Sequence, residues 1–334
     1  MVAAVEMSVV ATGNQPNAEK IDKVSCKFCE SDNLIKWGKQ NGHQRYRCKD
    51  CKHVFDDNGR LPRMRNETDI IATALDLYFE GLSLRKVQRH LKRRYGVKVA
   101  FQKILEWIEK YVPIVEDFTD SFDPVLSGIW HSDETVLKFQ WEKPKTTAKR
   151  RPGIQWWFWD AIDHRTRFLV GCHLSKERSI EEGETFLRNC EKAGGRPNAI
   201  ISDHLQAYHG AINKVFYSRY KHRKVKHMPT VAIPKTRIRV HNQMIERFHG
   251  TLDDRVDVMR GLKSHNTKVL RGFRIHYNWL RPHESLDYKT PAEAAAINLP
   301  FEDGWGDLIR WAVYRQNKPE NGNESAEIEL VAEN

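Results

Sequence analysis

Four of the six cysteines in this 334-residue chain stand in two Cys-x-x-Cys pairs, Cys26 with Cys29 and Cys48 with Cys51, separated by residues 30–47. That spacing matches a four-thiolate structural zinc site rather than a disulfide framework. A segment this short cannot bury enough apolar surface to fold alone, so a metal must supply much of its folding energy. Four sulfur ligands leave no open position for water, so the Zn²⁺ is expected to be structural. The reading is a zinc ribbon over residues 23–58, after a disordered tail over 1–22. Cys172 and Cys190 stand alone.

Helical periodicity follows. Ile70, Ala74, Leu77 and Tyr78 share one face, and Gly81 stops that helix. Ser83 is a good N-cap for a second helix with the stripe Leu84, Val87 and Leu91, ended by Gly96. A third carries Phe101, Ile104, Leu105, Ile108 and Val112. Three short helices with glycine connections outline a helix-turn-helix DNA-binding domain over 66–113. Gln102 and Lys103, at the start of the third helix, are candidates for contact with base edges. The basic cluster Arg89, Lys92, Arg93 and Arg94 is a candidate phosphate surface, with Arg89 and Arg93 its chosen members. A plain three-helix bundle with a solvated basic face is the alternative, because periodicity is a packing signal.

From about residue 124 the texture becomes that of strands: "GIWHSDETVLKF" alternates, and "IQWWFWDAID" with "RTRFLVGCHL" reads as a hairpin turned at His164 and Arg165. A helix, "SIEEGETFLRNCEKAGG", and a short buried strand, "NAIISD", come next. Three neighbouring strands, a crossover helix and a strand parallel to the first make an α/β fold with a mixed sheet flanked by helices. The tryptophans at 156, 157 and 159 are read as sheet and core packing. Beyond residue 300 one more helix and an acidic, disordered tail are expected over 301–334.

The chain carries 55 Lys and Arg against 44 acids, a net charge of +11, which favours a polyanionic partner. No run reaches the ~18 apolar residues of a spanning helix, so no membrane partner is expected and the protein reads as intracellular. Against this basic background, Asp133 sits in the first strand and Asp203 closes the fourth. If those strands are neighbours, the two carboxylates meet at one edge of the sheet, and cations such as Mg²⁺ are the usual means of relieving their repulsion. A third ligand would come from the helix beginning after Asn242, a plausible N-cap. Its buried stripe is Ile245, Phe248, Leu252 and Met259, with Glu246 on the flank. Glu246 and Asp253 both remain open on spacing, and the dipole prefers Glu246 by only ~0.3–1 kcal/mol. Asp253, Asp254 and Asp257 are read as partners of Arg247, Arg255 and Arg260 on the solvated side.

Asp133 in "DET", Asp203 in "SDHLQAY", Glu246 in "NQMIERFHGTLDDRVDVMRGLKS" and the later "HYNWLRPHESLDYKTPAEAA" together resemble the Asp-Asp-Glu transposases of insertion sequences, closest to the insertion-sequence-six group with a zinc ribbon. The 42 residues 204–245 between Asp203 and Glu246 exceed that group's usual interval, the excess falling in the basic "RYKHRKVKHMPTVAIPKTRIRV". The resemblance implies an RNase H-like catalytic domain over 123–300 in which Asp133, Asp203 and Glu246 hold two Mg²⁺ (or Mn²⁺). It implies action on double-stranded DNA, both terminal inverted repeats and target, by a homodimer or higher oligomer in a prokaryotic cytoplasm. Arg247 and His249 follow Glu246 as candidate DNA contacts. A non-catalytic DNA-binding regulator and an RNase H-like nuclease without joining activity are the alternatives.

Overall fold

A computed structural model describes residues 24–26, 31–40, 42–56, 64–139, 154–203, 205–230, 242–259, 262, 267–299 and 303–317. The chain divides into two units, residues 1–57 and 58–334. In the first, β1 (Leu34–Gln40), β2 (His43–Cys48) and β3 (Val54–Asp56) form an antiparallel sheet in that order. Among the described residues its buried core is Cys26, Cys48 and Phe55. So little apolar burial cannot offset the chain entropy of ordering the unit.

The second unit opens with α1 (Thr68–Phe79), α2 (Leu84–Tyr95) and α3 (Phe101–Thr119). Ser83 caps α2 by accepting from the Lys86 amide, and Gly96 closes it in the left-handed region. Of the expected stripe residues, Ile70, Ala74, Tyr78, Val87, Leu91, Ile104, Ile108 and Val112 are buried, while Leu77, Leu84, Phe101 and Leu105 are half-buried. The third helix does not stop at residue 113 but runs through Pro113 to Thr119. An interior proline costs a helix roughly 3 kcal/mol. Burial of Val112, Val115 and Phe118 offsets it, because α3 packs on two later helices, α7 (Lys268–Ile275) and α9 (Trp305–Asn317). The three N-terminal helices thus share one apolar core with the C-terminal part of the chain.

Close packing there depends on Gly272 in α7. A Cβ at this position would fall inside the Phe79 ring, which itself stacks on Trp305 at 5.1 Å. Gly272→Ala is expected to destabilise the unit by about 1–3 kcal/mol through overpacking. An unchanged urea midpoint would count against this packing.

The sheet of the second unit comprises β4 (Ile129–Phe139), β5 (Ile154–Asp163), β6 (Leu169–Ser175), β7 (Ala199–Ser202) and β8 (Lys226–Pro229), in the order β6-β5-β4-β7-β8. The first three are antiparallel, while β7 and β8 run parallel to β4. This is the mixed α/β sheet expected, with β8 as an additional edge strand from the basic segment. The crossover is α4 (Ile180–Gly194), capped by Ser179 and packed with α5 (Gln206–Val215) on one face. Trp159 is fully buried there, beside Phe186 and Tyr208. The other face receives α6 (Gln243–Met259) through Ile245, Phe248 and Leu252, as the stripe predicts. The loop 140–153, Cys29, Met259's side chain, Arg260 and the terminal segments 1–23 and 318–334 lie outside the described residues.

One expectation for α6 is overturned. Arg255 is not on the solvated side: it is 3% exposed, and its guanidinium lies 3.9 Å from the centroid of the Tyr78 ring. The quadrupole of the ring face, not an aspartate, is its neighbour. Asp253, Asp254 and Asp257 are exposed.

Candidate active site

The parallel register of β4 and β7 pairs Ile129 with Ala199, Trp130 with Ile200 and His131 with Ile201. Carried two residues further, it sets Asp133 opposite Asp203, just past the end of β7. Side chains two apart share a sheet face, so both carboxylates project at one end of the sheet. Carboxylate oxygens of Asp133, Glu134 and Asp203 lie within 4.8 Å of one another. Burial, then the charges of Asp203 and Glu246, push the Asp133 carboxyl upward, against a lowering by His249. Glu246 is thus within electrostatic reach of Asp133, although outside the 4.8 Å group.

Two contacts dock α6 beside these acids. Asn242 does not use its side chain as a cap. Its amide donates to the Ser132 carbonyl at 3.0 Å, and its Oδ1 meets His131 Nδ1 at 3.0 Å. Four residues on, Glu246 is exposed in the first turn of α6. One further turn brings His249, whose Nε2 lies 2.7 Å from Asp160 Oδ2. Asp160 is fully buried and faces Asp133 across the β4–β5 ladder. Burial raises the Asp160 carboxyl to about 6. Burial alone would lower His249, but the Asp160 carboxylate outweighs it and holds the imidazole above its ordinary range. Asn242→Ala would remove the partner of His131 Nδ1 and the side-chain donor to the Ser132 carbonyl, costing ~1–3 kcal/mol. Faster hydrogen exchange in the first turn of α6, with that of α4 unchanged, is the expected reading; equal exchange in both proteins would remove the anchor.

Sequence reasoning missed Asp160, Arg178 and Glu134. An acid inside the apolar run "WWFWDAID" was the available signal for the first. Arg178 forms an ion pair with Glu134, lies 3.9 Å from Asp203 Oδ2 and stacks over Trp157 at 4.3 Å. Burial pushes the Glu134 carboxyl up to about 7 despite that guanidinium. Arg178 therefore engages Glu134 and approaches Asp203, and no ion pair to it from Asp133 or Glu246 is formed among the described residues.

The other expected contacts are scattered. Gln102 and Lys103 are exposed at the start of α3, with Lys103 paired to Glu106 at 2.7 Å. Arg89 and Arg93 are on α2, and Arg247 is exposed on α6. In the first unit the sulfurs of Cys26, Cys48 and Cys51 lie within 4.8 Å of one another, with Cys26 and Cys51 3.5 Å apart. Such clustering of thiols suits a tetrahedral Zn²⁺. No helix among the described residues is long and apolar enough to cross a membrane.

Asp133 in mid-β4 and Asp203 just past the end of β7 thus gather on a mixed α/β sheet, an arrangement suited to holding divalent cations. Residues 127–283 match the DDE domain of the IS240-type family, and residues 23–52 match the InsA N-terminal domain, a zinc ribbon. Over residues 127–283 the chain is similar to the DDE transposases. No curated protein matches the sequence. Among solved structures, the HTLV-2 integrase catalytic core domain in complex with magnesium is 15% identical, covering 52% of this chain and 98% of its own, with a TM-score of 0.35. The Mos1 Strand Transfer Complex is 14% identical over 79% and 80%, with a TM-score of 0.27. The Drosophila P element transposase strand transfer complex is 11% identical over 78% and 80%, with a TM-score of 0.34.

Proposed function

We propose that this transposase cuts DNA at the ends of an insertion sequence and joins the freed 3′-hydroxyl to target DNA, with Asp133, Asp203 and Glu246 as its metal-binding acids. The observation that carries this reading is the register that sets Asp133 against Asp203, with the charge of Glu246 reaching Asp133 from α6. The donor set fits Mg²⁺, being hard carboxylate oxygens, those of Asp133 and Asp203 within 4.8 Å of one another, at a place where burial first and then the neighbouring acids raise the Asp133 carboxyl. Two Mg²⁺ bound there would activate the attacking oxygen and stabilise the leaving oxygen of an in-line phosphoryl transfer. Asn242 and His249 hold α6 so that Glu246 faces Asp133, and Asp160 orients His249. Arg178 engages Glu134 directly and reaches Asp203 at 3.9 Å, so Glu134 is the acid whose charge it chiefly offsets.

Double-stranded DNA is the partner. Gln102 and Lys103 would read base edges, and Arg89 and Arg93 would hold phosphates. Arg247 lies beside the acids, and His249 contributes through Asp160 as much as through DNA. Cys26, Cys29, Cys48 and Cys51 would hold one structural Zn²⁺, and two element ends call for a dimer or larger assembly. The test supplies pre-cut ends bearing a free 3′-hydroxyl, with target DNA and Mg²⁺. Joined product is the expected outcome. Nicking of uncut ends without any joining would make the protein a nuclease instead.

A further inference from the structure

Beside the acids, on the same face of β4 as His131 and Asp133, the second unit opens a cleft of about 880 Å³. Three guanidiniums line it: Arg167 from the β5–β6 turn, Arg247 from α6 and Arg281 from the segment after α7. No carboxylate of a described residue lies within ion-pairing distance of any of the three, and the one acid on the cleft wall is Glu284. The imidazoles of His131, His164 and His283 add donors, the first two stacked with their nitrogens 2.9 Å apart. His283 Nε2 is buried and has no hydrogen-bond partner. Burial and the charges of Arg281 and Arg167 drive His283 down to about 4, a sign of how positive the cleft is. The floor, by contrast, is apolar: Met244, Phe248 and Tyr277.

Three guanidiniums without a carboxylate partner, of which Arg167 donates only to the His164 carbonyl at 3.1 Å, call for a polyanion, and an apolar floor calls for something flat and poorly hydrated. A nucleotide unites the two. A sphere of this volume is about 12 Å across, no wider than one major groove, so a double helix cannot enter, whereas one or two unpaired nucleotides fit. His131 precedes Asp133 by two residues on one strand face, roughly 7 Å along β4. The cleft wall at His131 is therefore close to Asp133 along β4.

We infer that this cleft is a binding site for unpaired nucleotides of a DNA strand next to the cleavage point, with phosphates on Arg167, Arg247 and Arg281 and a base against the part-exposed Met244, which is backed by the buried Phe248 and Tyr277. The inference rests on the transposase reading, and it adds that the protein captures DNA that is locally single-stranded. Fraying of the duplex beside the scissile phosphate supplies such a strand.

The experiment measures binding of the full-length zinc-loaded protein, without Mg²⁺, to a blunt duplex and to the same duplex carrying a five-nucleotide single-stranded tail. Wild type is expected to prefer the tailed duplex by about tenfold. Arg281→Gln and Arg247→Gln should each shrink that ratio about threefold or more, with an unchanged thermal midpoint showing that they fold. Because those variants could fail to fold, 2-aminopurine is also placed as the first unpaired base on wild type, where its fluorescence should fall on binding. No tail preference in wild type, an undiminished preference in folded variants, or an unquenched probe would each overturn the inference. Failure of the transposase reading shows differently, as Mg²⁺-dependent cutting that survives Asp133→Asn.

Discussion

Asp133→Asn is expected to abolish Mg²⁺-dependent cutting and joining, by at least about 10³-fold, while binding to DNA ends persists. Asp203→Asn and Glu246→Gln should do the same. The physical basis is charge: Asp133 and Asp203 lie close together on neighbouring strands, Glu246 adds its charge from α6, and Asp133 carries a raised pKa from burial and then from these two acidic neighbours. An amide at 133 relieves that repulsion, so the variant should be no less stable than wild type when metal is absent. Mg²⁺ at about 100 times its dissociation constant should stabilise wild type by ~2.7 kcal/mol, and the variant much less. Thermal unfolding with and without Mg²⁺ reads this directly. A variant that still gains stability from Mg²⁺ and still joins ends would place the cations elsewhere. Glu134→Gln separates the alternatives within the site. Arg178 already engages Glu134, so its loss should cost far less activity than loss of Glu246.

The second large effect concerns the first unit. With only Cys26, Cys48 and Phe55 buried among its described residues, residues 24–56 depend on metal for their fold. Binding of Zn²⁺ to such sites is worth about 10–16 kcal/mol, far more than this core could supply. Chelation, or Cys48→Ser, is therefore expected to unfold β1–β3 and leave the second unit intact. Amide exchange should rise throughout Leu34–Asp56 while the sheet β4–β8 stays protected. Protected β1–β3 amides in the zinc-free protein would refute a structural role for the metal.

Much of the fold was legible because its signals are local. Ser83 and Gly96 bound α2 where capping chemistry requires, and the apolar stripe of α6 is buried where its period places it. Asp133 in mid-strand and Asp203 at a strand end were visible, and the parallel register then brought them together. Other features misled or stayed silent. Arg255 reads as a helix-surface partner for aspartates, yet it packs on Tyr78 from α1, a residue far away in sequence. Nothing in "NQMIERFHG" says that Asn242 would hold β4 rather than cap its own helix.

By itself, the sequence determined what depends on neighbours in the chain: the zinc ligands' spacing, the periods of helices and strands, the caps, and which acids could act together. Only the tertiary structure decided which of them meet. The Asp160–His249 contact spans 89 residues and the His131–Asn242 contact 111. Arg167, Arg247 and Arg281 reach one cleft from three separate elements. Such meetings follow from strand register and from how helices pack on a sheet, and these are set by the apolar surface buried across the whole unit. A residue's own neighbours carry no record of that.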